Sequence, residues 1–205
     1  NFSKKFSVTP GVRVDYIDTQ AKGSYRQVLR LLNQEVYFDS TYSTQKQHER
    51  VVVLGGLGAS FKPQTNKELY FNFSQNYRAI NFNDFVITNP NYRVDTNLQD
   101  EKGFNLDLGF RGSVKNFMVF DFTAFYLFYN NKIGFVQATD ENTYAVYRLR
   151  TNVSQSQTVG VESFVEYDFW KHLVNDTLDF GWSVFVNGTV LDGRYINSEE
   201  PAYEN

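Results

Sequence analysis

The sequence contains no cysteine. That excludes disulfides and every thiolate metal site. Methionine occurs once, proline four times and histidine twice. The histidines, His48 and His172, stand far apart and form no metal-ligand spacing, so no zinc motif is present. No apolar run reaches the 18 or more residues that a transmembrane helix needs. Charge of one sign is also lacking: the net charge is only −3, so nothing points to a nucleic-acid partner. No Ser/His/Asp constellation at readable spacing suggests an esterase. Gly55, Gly56 and Gly58 lack the following helix and Lys-Ser/Thr of a phosphate loop. They read as close packing or strand bends. No catalytic residue, resident cofactor or bound metal is expected.

What is abundant is aromatic surface: 20 Phe and 14 Tyr, with aromatics at 18% of the chain. Such residues suit a pleated, half-buried sheet. The mean hydropathy of −0.45 looks like that of a water-soluble protein. A membrane barrel gives the same average, because its strands alternate apolar and polar residues.

Period-two alternation recurs about seven times. Phe6, Val8, Val12, Val14 and Tyr16 share one face of the first segment. Val51, Val53, Leu57, Ala59 and Phe61 form the second. Leu69, Phe71, Phe73 and Tyr77 alternate with Glu68, Asn72, Ser74, Asn76 and Arg78 in the third. Phe104, Leu106, Leu108 and Phe110 oppose Asn105, Asp107, Arg111 and Ser113 in the fourth. The fifth, Phe117 to Tyr129, is apolar on both faces except at Asp121 and Thr123. Val159, Val161, Val165, Tyr167 and Phe169 oppose Glu162, Glu166 and Asp168 in the sixth. Leu178, Phe180, Trp182, Val184 and Val186 oppose Asp179, Ser183, Asn187 and Thr189 in the seventh.

Each segment has about 9 to 13 residues, where a globular strand has about 5 or 6 and a tilted membrane strand about 9 to 11. The connections alternate in length. Pro63 to Lys67, Lys115-Asn116 and Lys171 to Asp176 are short; Thr19 to Glu49, Ala79 to Lys102 and Gly134 to Thr158 are long. Short periplasmic turns alternating with long extracellular loops characterise outer-membrane barrels. The first strand would then run outward, and the long connections would continue partly as strand above the membrane, as the alternation of residues 144–150 suggests. Tyr16, Tyr77, Tyr167, Phe169 and Trp182 fall near segment ends, as an aromatic girdle requires. The carboxylates on alternate strand positions read as a polar barrel interior, not as acid/base catalysts.

The expected fold is therefore all-β, an antiparallel transmembrane β-barrel segment of about seven to eight long strands. The alternative is a soluble β-sandwich, a carbohydrate-binding or adhesion module. It would need a layer covering Leu69, Phe71, Phe73, Phe104, Leu106 and Leu108. A barrel enzyme would need a nucleophile–base pair, and none is found. A passive porin would share the wall chemistry.

The ordered segments resemble TonB-dependent outer-membrane receptors. Phe6-Ser7-Val8-Thr9-Pro10-Gly11-Val12-Arg13 is similar to their "sitPGiR" strand, and Glu68 to Arg78 to "ylnySqnYR". Asp95 to Gly112 resembles "nLkdEkg…dlGiRG". Phe125 to Gly134 fits "FyL.Ynn.iG", and Thr158 to Ser163 fits "GvEs". The match runs in order over nearly the whole chain, and its flavour resembles ferric dicitrate receptor-like members of the Bacteroidetes type.

The resemblance implies that residues 1–205 are part of a 22-stranded barrel domain, with the plug domain, TonB box and C-terminal strands absent. It implies a bacterial outer-membrane location and uptake of a ferric chelate such as ferric citrate, with iron present only as cargo. The implied partners are outer-membrane lipid, the chelate, and TonB acting through the plug. Asn76, Arg78 and Arg93, in or near the second long loop, are the candidate ligand contacts, since Arg pairs carboxylates bidentately.

Overall fold

The computed structural model describes residues 5–85, 89, 91–141, 144–173 and 181–197. It is an eight-stranded sheet, antiparallel throughout except for one short added strand. The strands are β1 (Phe6–Arg30), β2 (Val36–Gln64), β3 (Lys67–Arg78), β4 (Tyr92–Val94), β5 (Glu101–Val114), β6 (Met118–Thr139), β7 (Val146–Asp168) and β8 (Ser183–Ile196). Two short helices interrupt them, α1 (Phe82–Phe85) and α2 (Phe169–Leu173). The wall runs β1-β2-β3-β5-β6-β7, with β8 on the outer edge of β7.

The register turns alternation into rows. Val8, Ala59, Phe71, Leu108, Ala124, Val161 and Val190 lie side by side across seven strands. The neighbouring row reads Ser7, Ser60, Tyr70, Gly109, Thr123, Glu162 and Thr189. Adjacent rows point to opposite faces, so one face is apolar and the other largely polar, with the facing the alternation predicts.

The apolar face carries linked rings: Phe104 lies 6.0 Å from Phe73, 5.9 Å from Tyr126 and 5.4 Å from Phe128. Phe110, Phe120 and Phe122 form a second group. Among the described residues no second layer covers this face, and Val12, Leu108, Val161 and Val186 are all more than half exposed. A soluble sandwich buries such a face under a second sheet. This single sheet leaves it for lipid, and the two-layer alternative falls.

The first and third long connections continue as strand, as expected of part of their length, and the first does so further than expected. β1 and β2 continue as a ladder to a tight tip at Leu31–Glu35, where Gln34 takes φ = 68°. At about 3.4 Å per residue, the 25 residues of β1 reach about 85 Å, so even a tilt of about 45° carries them well past a hydrocarbon core of about 30 Å. The polar run in residues 18–50 removes the apolar half of the alternation without breaking the ladder. β6 and β7 likewise extend to Thr139 and back from Val146.

The second long connection contains β4, which pairs parallel to β7 through Tyr92↔Arg148 and Val94↔Arg150. Tyr92 packs 5.1 Å from Phe135, and the Arg148 guanidinium lies 5.1 Å from the same ring. Finally, Phe169 is not on the sixth strand. β7 ends at Asp168, whose carboxylate accepts the Lys171 amide (2.9 Å) and starts α2. Phe169 still joins the aromatic band, 4.7 Å from Tyr167 and 6.3 Å from Trp182. Leu178, Asp179 and Phe180 lie outside the described residues.

Candidate functional site

The polar face, at the end carrying the long connections, holds the densest set of charged contacts. β3 delivers Arg78 and β5 delivers Glu101 as a cross-strand pair. Arg78 donates to Glu101 at 2.7 Å and to Asp84 of α1 at 3.1 Å. Lys132 approaches Glu101 at 3.6 Å, and Arg150 approaches Asp84 at 3.6 Å. The amides of Ile133 (3.0 Å) and Asn81 (2.9 Å) complete the shells of Glu101 and Asp84. Both carboxylates are buried. Buried charge persists only when paired and hydrogen-bonded.

A second centre lies nearby. Arg50 pairs with Asp100 at 2.9 Å, and both side chains are only 10% exposed. Asp100 also accepts the Ile80 amide (2.7 Å) and the Tyr77 hydroxyl. Arg50 donates in turn to the Ile80 carbonyl (3.0 Å). Ile80 is itself 2% exposed. The connection's return limb is held by Asn152, which accepts the Gln99 amide and donates to the Gln99 carbonyl, both at 2.8 Å. Thr151 donates to Asp95 at 2.6 Å. The expected loop is thus fastened to the sheet along its described length.

Burial works against ionising Glu101, but the bond from Arg78, the Ile133 amide and the Lys132 charge outweigh it. The carboxyl is held below the usual glutamate range, so its contribution is complete above the unfolded value of about 4.3 and is lost as pH falls through the depressed folded value. Amide exchange across residues 79–85 and 91–100, corrected for its intrinsic pH dependence, should stay slow down to the ordinary glutamate range and accelerate only below it. Glu101→Gln should speed that exchange at neutral pH by about tenfold or more, equivalent to about 1.4 kcal/mol for a charged hydrogen bond. Together the Arg78–Glu101–Asp84 cluster and the Arg50–Asp100 pair form a latch that holds the second long connection to the sheet. Unchanged protection in that variant would remove Glu101 from the latch.

The three candidate contacts occupy separate neighbourhoods. Arg78 is in the latch. Arg93, at the β4 centre, pairs with Asp140 at 2.8 Å and stacks 4.1 Å over Tyr147. Asn76 lines a cleft of about 360 Å³, with His48, Arg50, Tyr77, Asp100 and Lys102. The cleft opens where β2 and β3 part, beyond their last paired residues Gly56 and Ser74.

Sequence reasoning did not single out Arg50, Asp84, Asp100, Glu101 or Arg150. Their partners lie up to tens of positions away, and no local pattern marks them.

Lower on the polar face, Tyr70 donates to Asp121 (3.0 Å) and shares a 2.6 Å bond with Thr123. Arg111 pairs with Glu68 at 2.9 Å. Of the two histidines, His172 stacks 4.1 Å from Phe117. Among the described residues no group of His, Asp and Glu could hold a metal ion.

A single sheet with one lipid-ready face, one polar face, short turns at one end and long hairpins at the other is a sector of a transmembrane β-barrel wall. Residues 1–202 match the family model described as TonB dependent receptor-like, beta-barrel, and the chain belongs to that family. Its location is the bacterial outer membrane. No curated protein gives a significant match. Among solved structures, the chain is similar to the ferric-catecholate import receptor Fiu from K12 E. coli, with TM-score 0.65 and 13% identity over 97% of this chain and 27% of that one. It is also similar to the ferric yersiniabactin uptake receptor FyuA from Yersinia pestis, with TM-score 0.62 and 20% identity over 96% and 25%. A third likeness is to the copper transporter OprC, with TM-score 0.60 and 12% identity over 94% and 27%. The chain therefore spans about a quarter of the length of each of these three structures.

Proposed function

We propose that this chain is a wall sector of a receptor that takes up a ferric chelate, of the ferric citrate kind, by TonB-driven transport. The observation that carries the reading is the two-faced sheet, apolar outward and polar inward, within a family match over residues 1–202. Two of the similar structures are a ferric-catecholate import receptor, Fiu, and a ferric yersiniabactin uptake receptor, FyuA. The wall does no covalent chemistry in this reading, and iron passes as cargo. TonB would act through the plug domain of the whole receptor.

An anionic chelate presents carboxylates, for which the arginines at the outer rim are suitable partners. Asn76 lines an open cleft and can meet such a ligand directly. Arg78 and Arg93 would have to exchange Asp84, Glu101 or Asp140 for ligand carboxylates. Ligand capture by Arg78 would therefore be coupled to release of the latch.

The test is accumulation of radiolabelled iron, supplied as ferric citrate, in cells whose only uptake route is the full-length receptor. Uptake should require TonB. Arg78→Ala should weaken binding about tenfold or more, by losing a charge-assisted bond. TonB-independent uptake, or none, would sink the transport reading for this chelate. Unchanged affinity in Arg78→Ala would remove that residue alone from the site.

A further inference from the structure

Arg78 and Arg93, the arginines expected to meet ligand, are both occupied by carboxylates of the chain. Another arginine is not. Arg148 of β7 is exposed, and no ion pair is found for it among the described residues.

β4 builds its surroundings. Parallel pairing sets Tyr92 beside Arg148. The Arg148 amide donates to the Asn91 carbonyl (2.9 Å), and the Asp95 amide donates to the Arg150 carbonyl (2.9 Å). β6 brings Phe135 opposite Arg150. The Tyr92 and Phe135 rings lie 5.1 Å apart, tilted by 53°. The Arg148 guanidinium lies 5.1 Å from the Phe135 ring and 5.8 Å from the Tyr92 ring. The Arg150 guanidinium lies 4.6 Å from the same Phe135 ring.

Two guanidinium groups thus converge on one ring. Arg148 and Arg150 are two positions apart on a strand and share a face. Each gains from the π-face of the ring, but like charges brought together repel. Arg150 is offset by Asp84 at 3.6 Å and by the Asn83 carbonyl. Asp84 is already shared with Arg78, and Glu101 serves both Arg78 and Lys132. Four cations, Arg78, Lys132, Arg148 and Arg150, have these two carboxylates between them. Stacking on rings fixes the orientation of a guanidinium and leaves its in-plane N–H fork free. That fork pairs an oxyanion bidentately. The excess positive charge is open to solvent and oriented, and an oxyanion between the two arginines would relieve their repulsion.

We infer that Arg148, with Arg150 beside it and Phe135 and Tyr92 beneath, receives a carboxylate of a polycarboxylate ligand. This assignment rests on the carboxylate-bearing cargo proposed above. It gives that cargo a first contact that requires no latch bond to break. Because β4 supplies Tyr92, the site is complete only while the second long connection is docked on β7.

The experiment treats the full-length receptor with an arginine-selective dicarbonyl and maps the modified residues by mass spectrometry. Metal-free citrate is the first probe and inorganic phosphate the second. Citrate should slow modification of Arg148 by about tenfold, as a charge-assisted bidentate pair would. It should leave Arg13 and Arg194 unchanged, since each is an exposed arginine already paired with a neighbouring aspartate. An unchanged rate at Arg148 would overturn the inference. Protection by phosphate and not by citrate would overturn the carboxylate class. The unaltered receptor is used, so misfolding of a variant cannot mimic the result.

Arg148→Gln reads the same site by affinity and should weaken ferric citrate binding by about tenfold. Arg148→Lys keeps the charge without the fork and should recover only part of that loss. Wild-type affinity in Arg148→Gln would overturn the inference. A receptor protected by citrate but without TonB-dependent uptake of ferric citrate keeps this site and loses the transport reading. Uptake without protection loses the site alone.

Discussion

Phe71→Asp should block stable assembly of the full-length receptor in the outer membrane. Phe71 lies near the middle of β3, paired with Ala59 and Leu108 in the fully apolar row. The change removes a large apolar side chain from lipid contact and puts a carboxylate near the bilayer midplane, at a cost on the order of a few kcal/mol. The neighbouring change Asn72→Asp adds the same charge one position along, on the polar face beside Gly58 and Asp107. It should assemble. Heat-modifiable migration on a gel, together with protease protection in whole cells, reads both. Normal assembly of Phe71→Asp, or failure of both variants alike, would invalidate the facing assignment.

The second large effect is expected at Gly109. A Cβ built there would run into Cζ and the hydroxyl of Tyr70 and lie 2.6 Å from its Cε1. Tyr70 lies across this glycine in register and reaches over it to Asp121 and Thr123 on β6. Gly109→Ala must displace the ring and break those bonds. Overpacking costs about 1–3 kcal/mol, and about 1 kcal/mol more follows for each lost hydrogen bond.

Tyr70→Ala alone should also destabilise, since it uncovers Gly109 and leaves Asp121 with only the longer bond from the Thr123 hydroxyl (3.3 Å). The double variant should be less unstable than the two single changes added together, because the clash is gone once the ring is absent. Denaturant unfolding of the receptor in lipid vesicles measures the cycle. Strict additivity would show that the ring and the glycine are not in contact. At Gly160 the obstacle includes backbone: a Cβ would meet the Val190 carbonyl at 2.7 Å as well as the Phe125 ring. Gly160→Val should therefore loosen the β7–β8 ladder.

The contrast between these two sites shows what could be read from the chain. Phe71 was legible because its facing depends only on its neighbours two positions away. Gly109 was not, because the ring that occupies its space comes from Tyr70, 39 positions earlier, through a register that the alternation does not specify. The ligand candidates divide in the same way. Asn76 and Arg78 were correctly placed at the end of a strand. What Arg78 touches depends on where α1 returns Asp84 and where β5 brings Glu101. Arg93 is placed by the parallel pairing of β4 with β7 and held by Asp140, which polar loop composition does not announce.

The length of the β1–β2 ribbon was also hidden. Above the membrane no apolar solvent selects one face, so the sequence loses its period although the backbone ladder continues to Leu29.

By itself, then, the sequence determined the all-β class, the positions of the wall strands, and which side of each faces lipid. These follow from the two-residue period of a strand and from the need to present apolar groups to a bilayer, both local in the chain. Only the tertiary structure decided the latch of the second long connection, the added strand β4 and the ring seated on Gly109. Each of these depends on strand register and on ion pairs between residues distant in sequence, and short-range pattern carries no record of them.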